Sequence, residues 1–267
     1  MPDPFQNVDA GGAAFVEAVA SALETRAAEP VMQAIVARYL ADIPCPEGGL
    51  HLDLGAGSGA VSRPLARHAA NGRIVASDLS PGLIAAARAH ADTPANLSFE
   101  VADGGRLPQA DGSVDTVVMH TLLSHVPDPS PLLAEAARVL RVGGTLAICD
   151  CDFSKIAVGN EAGDPLDACA KYFARHFVTD PDLIGKLRGL VAAAGFTIAD
   201  FRMETRIVTE GLGGLTWVGM GGKAMADAGL IGTPLHEALI VEYHRRIAAD
   251  CLYGFMPFAV LIARRAG

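Results

Sequence analysis

Leu50-His51-Leu52-Asp53-Leu54-Gly55-Ala56-Gly57-Ser58-Gly59 reads as an apolar strand running straight into a glycine-rich turn. Glycine at every second position lets the backbone turn through left-handed conformations and brings N–H groups close to a ligand. The stretch that follows, about Ser58 to Ala70, predicts a helix whose N-terminus adds partial positive charge to the turn. A second β-prone run, Arg73 to Ser77, leads to a helix opening at Ser80-Pro81, where Ser caps and Pro occupies the first turn. Two strand-turn-helix units in succession predict an α/β fold with a parallel sheet.

Downstream, Leu97 to Val101 predicts a third strand, and Asp103-Gly104-Gly105 a turn. Val114 to Met119 is strand four and about Pro131 to Leu140 a helix. Gly143-Gly144 reads as its C-cap, leading into strand five at Thr145 to Cys149. Beyond Asp150 the pattern predicts helices over 164–178, 180–194 and 233–250, a long strand from Phe196 to Val208, and a last strand from Phe255 to Ala263. Residues 211–232 are glycine-rich around Trp217. Upstream, helical spacing over 12–41 breaks at Pro30 into two helices. The expected organisation is an N-terminal helical cap segment, 1–45, and one domain, 46–267, carrying a cap insertion at about 210–250.

The chain has 267 residues, 51% hydrophobic and 19% charged, a composition that excludes disorder and a length that allows one large domain with an elaboration or two small ones. No run of about 18 residues lacks charges or turn formers, so no membrane span is expected. Met1-Pro2-Asp3-Pro4 lacks the basic start of a secretory signal. A net charge of −9 offers no footprint for a phosphate backbone, which makes nucleic acid a poor partner. Five scattered cysteines predict reduced thiols in a cytoplasm. Cys149 and Cys151 share a strand face, yet no second ligand pair follows at metal-site spacing, so no metal is expected.

Gly55-x-Gly57-x-x-Ala60 also satisfies the loose dinucleotide fingerprint. Acidic residues break that tie. Asp53 lies two residues before the first glycine, where it would repel a pyrophosphate and attract an ammonium or sulfonium. Asp78 ends strand two at the place of a ribose-binding carboxylate, and Asp103, after strand three, can accept a hydrogen bond from an exocyclic amine. Three strand ends in a row are therefore acidic at the edge where open α/β sheets bind ligands. Asp115, at the opposite edge, reads as turn chemistry.

Leu52-Asp53-Leu54-Gly55-Ala56-Gly57-Ser58-Gly59, Ala76-Ser77-Asp78-Leu79-Ser80, Asp103-Gly104 with Leu107-Pro108, Ser113-Val114-Asp115-Thr116-Val117-Val118, Leu123-Ser124-His125-Val126-Pro127-Asp128-Pro129 and Arg138-Val139-Leu140-Arg141-Val142-Gly143-Gly144 come in order. Over residues 50 to about 150 this series resembles the class I S-adenosylmethionine-dependent methyltransferases, in the small-molecule branch similar to ubiquinone and menaquinone biosynthesis methyltransferases. The resemblance implies a Rossmann-like seven-stranded, mostly parallel sheet with an antiparallel last strand. It also implies S-adenosyl-L-methionine across the strand ends, with Gly55, Gly57 and Gly59 under methionine and ribose and Asp53 near the amino group. Asp78 would bind ribose and Asp103 the adenine amine, with Leu79 and Gly104 flanking adenine and His120 nearest the methyl group.

Methyl transfer from a sulfonium needs proximity, water exclusion and, for a hydroxyl nucleophile, a base. His120 and His125, after strand four, are the base candidates, His125 also suiting a structural role in its turn. The segment 211–222 mixes large apolar residues with glycine hinges, as a mobile lid would; close helix packing accounts for it equally. Arg26 suits a solvated helix face, or pairing with a cofactor carboxylate or an acidic substrate. Few cations occur in the lid segments, so the expected substrate is a small, largely apolar metabolite methylated on O, N or C. The competing expectations are an adenosylmethionine-binding protein that catalyses a rearrangement or cyclisation, and a nicotinamide oxidoreductase. The expected partners are the small-molecule substrate and, as candidate assembly, a homodimer.

Overall fold

A computed structural model describes residues 3–210 and 213–267. Runs mostly buried on both faces form the parallel strands β1 (Leu50–Leu54), β2 (Arg73–Asp78), β3 (Leu97–Val101), β4 (Val114–His120) and β5 (Leu140–Cys151). They lie in the order β3-β2-β1-β4-β5. The long strands β7 (Phe196–Val208) and β8 (Gly254–Arg265) complete the sheet, β8 antiparallel to both β5 and β7. A two-residue strand, β6 (Ala157–Val158), pairs with the start of β8. Eight strands thus replace the expected seven, because the chain leaving β5 touches β8 once more.

Helices α1 (Ala13–Ala28) and α2 (Pro30–Ala41) meet at Pro30, which cannot continue the first helix but suits the first turn of the next. The others are α3 (Ser62–His68), α4 (Pro81–Ala89), α5 (Ser130–Val139), α6 (Pro165–Phe177), α7 (Leu183–Ala193), α8 (Leu215–Asp227) and α9 (Thr233–Ala248). Ser80 caps α4 as expected, accepting from the Leu83 N–H at 3.0 Å. Alternation along the strands builds two cores. Ile74, Ala76, Val118 and Ala147 pack with α2, α3, α4 and α6, while Leu52, Val75, Val117 and Ile148 pack with α5 and α7.

Two boundaries differ from the sequence reading. The helix after the glycine turn starts at Ser62, not Ser58, because Gly55, Gly57 and Gly59 all have positive φ, which prolongs the turn. Gly143-Gly144 does not cap a helix. Strand β5 begins at Leu140, opposite Val114, and after an irregularity Thr145 lies opposite Thr116, with Gly143 at φ 76° inside the strand. A bulge with one left-handed glycine absorbs the extra residues. Asp115 is more than a turn former: it accepts from the Leu50 N–H at 2.9 Å and from Arg141 Nε at 2.6 Å, joining the starts of β1, β4 and β5.

Candidate functional site

The sheet order reverses between β1 and β4, and a cavity of about 1050 Å³ opens there at the carboxyl ends of the strands. Its floor is the glycine turn with the ends of β2, β3 and β4; its roof comes from α1, α2 and α8. Of the residues expected to bind a cofactor, Asp53, Gly55, Gly57, Asp78, Leu79, Asp103, Gly104 and His120 line it. Gly59 does not. A Cβ there would stand 2.6 Å from the Phe99 ring, so this glycine makes room for helix-to-sheet packing.

Asp53 is 1% exposed and accepts a hydrogen bond from Ser62 Oγ at 2.6 Å. Burial pushes its carboxyl up to about 7, against the pull of that hydrogen bond, and Asp78 adds to the rise. Asp78 accepts from the Gly57 N–H at 2.8 Å and the Ser80 N–H at 2.9 Å, bracing the turn from the neighbouring strand. Burial raises its carboxyl as well. Asp103 accepts from the Gly105 N–H at 2.8 Å in its own turn and is exposed. Leu79 is 64% exposed, an aliphatic side chain standing open at the mouth.

His120 is buried at the end of β4, its Nδ1 3.2 Å from the Tyr39 hydroxyl of α2. Burial, helped by the charge of Arg26, lowers its pKa to about 3. His125 also reaches the cavity, but its Nδ1 is engaged by Asp3 Oδ2 at 2.8 Å and its ring packs between Phe5 and Phe153. That contact ties the N-terminal segment to the sheet edge.

Three features of the roof differ from the sequence reading. Arg26 is not on a solvated face: it is partly buried, faces the cavity and donates to Thr121 Oγ1 at 3.1 Å. Arg206, 3% exposed on β7, also lines the cavity, paired at two points with Glu29. Nothing local in Thr205-Arg206-Ile207 marks it, since only the β7–β8 register and the α1–α2 corner bring it there. The glycine-rich segment is helix α8 from Leu215 onward, and Gly221 and Gly222 sit against Cys169 and His236 of neighbouring helices. Close packing, not a hinge, is what these two glycines serve. Gly211 and Leu212 of that run lie outside the described residues. Cys149 and Cys151 are buried on β5, and burial raises both thiols.

A doubly wound sheet with an antiparallel edge and a glycine turn flanked by acidic strand ends is the arrangement expected of a class I methyltransferase domain. Residues 52–148 match the methyltransferase domain family. A malonyl-[acyl-carrier protein] O-methyltransferase from Hahella chejuensis is 41% identical over 105 residues, covering 39% of this chain and 36% of that one. A demethylmenaquinone methyltransferase from Thermobifida fusca is 33% identical over 164 residues, covering 58% of this chain and 66% of that one. The chain thus spans between about a third and two thirds of the curated relatives it matches here. The YcgJ protein of Bacillus subtilis superimposes with a TM-score of 0.61 at 16% identity, over 88% of this chain and 100% of that one, and shows the shared fold. Among the described residues, no helix is long and apolar enough to cross a membrane.

Proposed function

We propose that this protein transfers a methyl group from S-adenosyl-L-methionine to a small, largely apolar molecule. The observation that carries the reading is the convergence, in one cavity, of a left-handed glycine turn, three acidic strand ends and a largely apolar roof. The floor suits that ligand. Ser58 Oγ is buried in the turn without a hydrogen-bond partner among the described residues, and the Asp53 carboxyl is strained by burial until a cation arrives. On this reading Gly55 and Gly57 run beneath the methionine and ribose, and Asp53 faces the amino group. Asp78 meets the ribose hydroxyls, Asp103 the adenine amine, and Leu79 and Gly104 the adenine faces.

The bound donor supplies an activated methyl on a sulfonium, so the chain's task is to orient the acceptor and exclude water. The N-terminal segment 1–45 and the region 210–250 act as the cap. Leu23 of α1 lies over Gly57, where a Cβ would come within 2.8 Å of it, while Trp217 and Met220 of α8 close the far side. Incubation with methyl-labelled adenosylmethionine and a mixture of small metabolites tests the reading. Formation of adenosylhomocysteine with labelled product is expected; thermal stabilisation by NAD(H) but not by adenosylmethionine would overturn it.

A further inference from the structure

We propose that Arg26, buttressed by Thr121 and working with His120, binds a carboxylate, and that this carboxylate, on a largely apolar molecule, is the methyl acceptor. The proposal rests on the methyltransferase reading above and names its substrate class.

Two guanidinium groups face the cavity, and they differ in one respect. Arg206 is neutralised by Glu29, with Nε and Nη2 each 2.5 Å from a carboxylate oxygen. Arg26 has one hydrogen-bond partner, the Thr121 hydroxyl at 3.1 Å, and no carboxylate pairs with it among the described residues. A guanidinium stays charged at any working pH, so burial cannot be relieved by proton loss. Burial and the nearby Arg206 both act against its charge. A half-buried guanidinium that faces the cavity with no carboxylate partner among the described residues is ready for an anion, and its planar fork of donors matches a carboxylate. Thr121 holds the fork from a left-handed backbone conformation, φ 48°, that a β-branched residue rarely adopts.

His120 offers the second contact. Tyr39 is 1% exposed, and among the described residues its hydroxyl has His120 Nδ1 as its one hydrogen-bond partner. A buried phenol that only accepted would leave its own proton unpaired, so the network assigns Tyr39 as donor to Nδ1. The neutral imidazole then carries its proton on Nε2. His120 thus presents an N–H to the cavity rather than a lone pair, which suits an anion and removes the expected general base. A nucleophile that is already anionic needs none. One carboxylate oxygen forms the new C–O bond as the donor's S–CH3 bond breaks. The electron pair of that bond stays on sulfur, carboxylate and sulfonium become ester and thioether, and no proton moves.

The anchor at Thr121, rather than at the glycine turn, is the reason Arg26 is assigned here to the acceptor and not to the donor's own carboxylate. Arg26 bonds the residue that follows β4, and its charge acts on His120 and on Cys149, Asp150 and Cys151 of β5. Its anchor is thus the β4 end, while the Ser58 hydroxyl, without a hydrogen-bond partner among the described residues, lies in the glycine turn.

The test measures binding without the donor, then turnover. Octanoate and 3-phenylpropanoate are titrated by calorimetry against octanamide and 3-phenylpropanol, in the wild type, Arg26→Met and Thr121→Val. The carboxylates are expected to bind the wild type more tightly than their neutral analogues, and to lose at least about tenfold in Arg26→Met and roughly threefold in Thr121→Val. Adenosylhomocysteine affinity should stay within about threefold in both, which also shows that the variants are folded. With methyl-labelled donor, alkali should release the product's label as methanol, and nitrogen-15 NMR should show the Nε2–H tautomer of His120, lost in Tyr39→Phe. The proposal is overturned by equal binding of acids and amides, by an Arg26→Met defect confined to adenosylhomocysteine, by an alkali-stable product, or by an Nδ1–H tautomer. Failure of the methyltransferase reading looks different: adenosylhomocysteine would not bind even the wild type.

Discussion

The floor and the roof of the cavity are built by different means. The floor is made of backbone turns and carboxylates at the ends of β1, β2 and β3, each placed by the five or six residues around it. The roof is made of side chains from α1, α2, α8 and β7, as far apart in sequence as Arg26 and Trp217. This contrast argues that the floor sets the donor chemistry and the roof sets the choice of acceptor. A change in one should leave binding to the other nearly untouched.

The largest expected effect is on the floor. Asp78→Ala removes an acceptor of two backbone N–H groups, 2.8 and 2.9 Å away, together with the proposed ribose contacts. Adenosylhomocysteine affinity should fall at least about tenfold, at about 1.5–3 kcal/mol for each hydrogen bond to a charged group. Unchanged affinity in calorimetry would remove Asp78 from the donor site.

Next comes pH. The Asp53 carboxyl in the free protein titrates at about 7, and an ammonium ligand binds its ionised form. Donor affinity should therefore rise with pH, by up to about tenfold per unit below about 7, and level off above, with proton release on binding. The sign for stability is opposite. The folded state holds this proton more tightly than the unfolded chain, so the unliganded protein loses stability as pH climbs from about 4 to about 7. Asp53→Asn preserves an acceptor for Ser62 and should flatten both profiles; a wild-type melting temperature that rises through this window, traced to Asp53, would contradict the assignment.

On the roof, Trp217→Ala should raise the acceptor KM by about fivefold while donor affinity changes less than about twofold, the lost term being apolar contact area. A larger loss on the donor side would mean that floor and roof are not separable. The smallest effect on binding belongs to Gly59→Ala. With φ 79° and the Phe99 ring 2.6 Å from the new Cβ, it should cost about 1–3 kcal/mol of stability in urea unfolding and leave the affinity of the folded protein unchanged. A selective loss of donor affinity would restore Gly59 to the floor.

How much was legible follows the same division. Leu50–Leu54, Leu97–Val101 and Phe196–Val208 have the bounds read from the sequence, because β-prone runs set off by turn residues mark a strand locally. The acidic strand ends were legible because their spacing from the glycines is fixed by one βα unit. The β5 bulge was not, since Gly-Gly suits a helix end and a left-handed bulge alike, and only pairing with β4 and β8 decides between them. Arg206 and Tyr39 were passed over because a lone charge on a strand and an aromatic on an apolar helix carry no local mark of a ligand site.

By itself, then, the sequence determined the doubly wound class, the glycine turn and the carboxylates of the floor. Those depend on backbone conformation and short spacing, which neighbouring residues dictate. Only the tertiary structure decided that Glu29 silences Arg206, that Arg26 faces the cavity with no carboxylate partner among the described residues, and that Tyr39 reaches His120. Each of those pairs residues 81 to 177 positions apart, and contacts over such distances are chosen by the packing of helices on a sheet rather than by any local pattern.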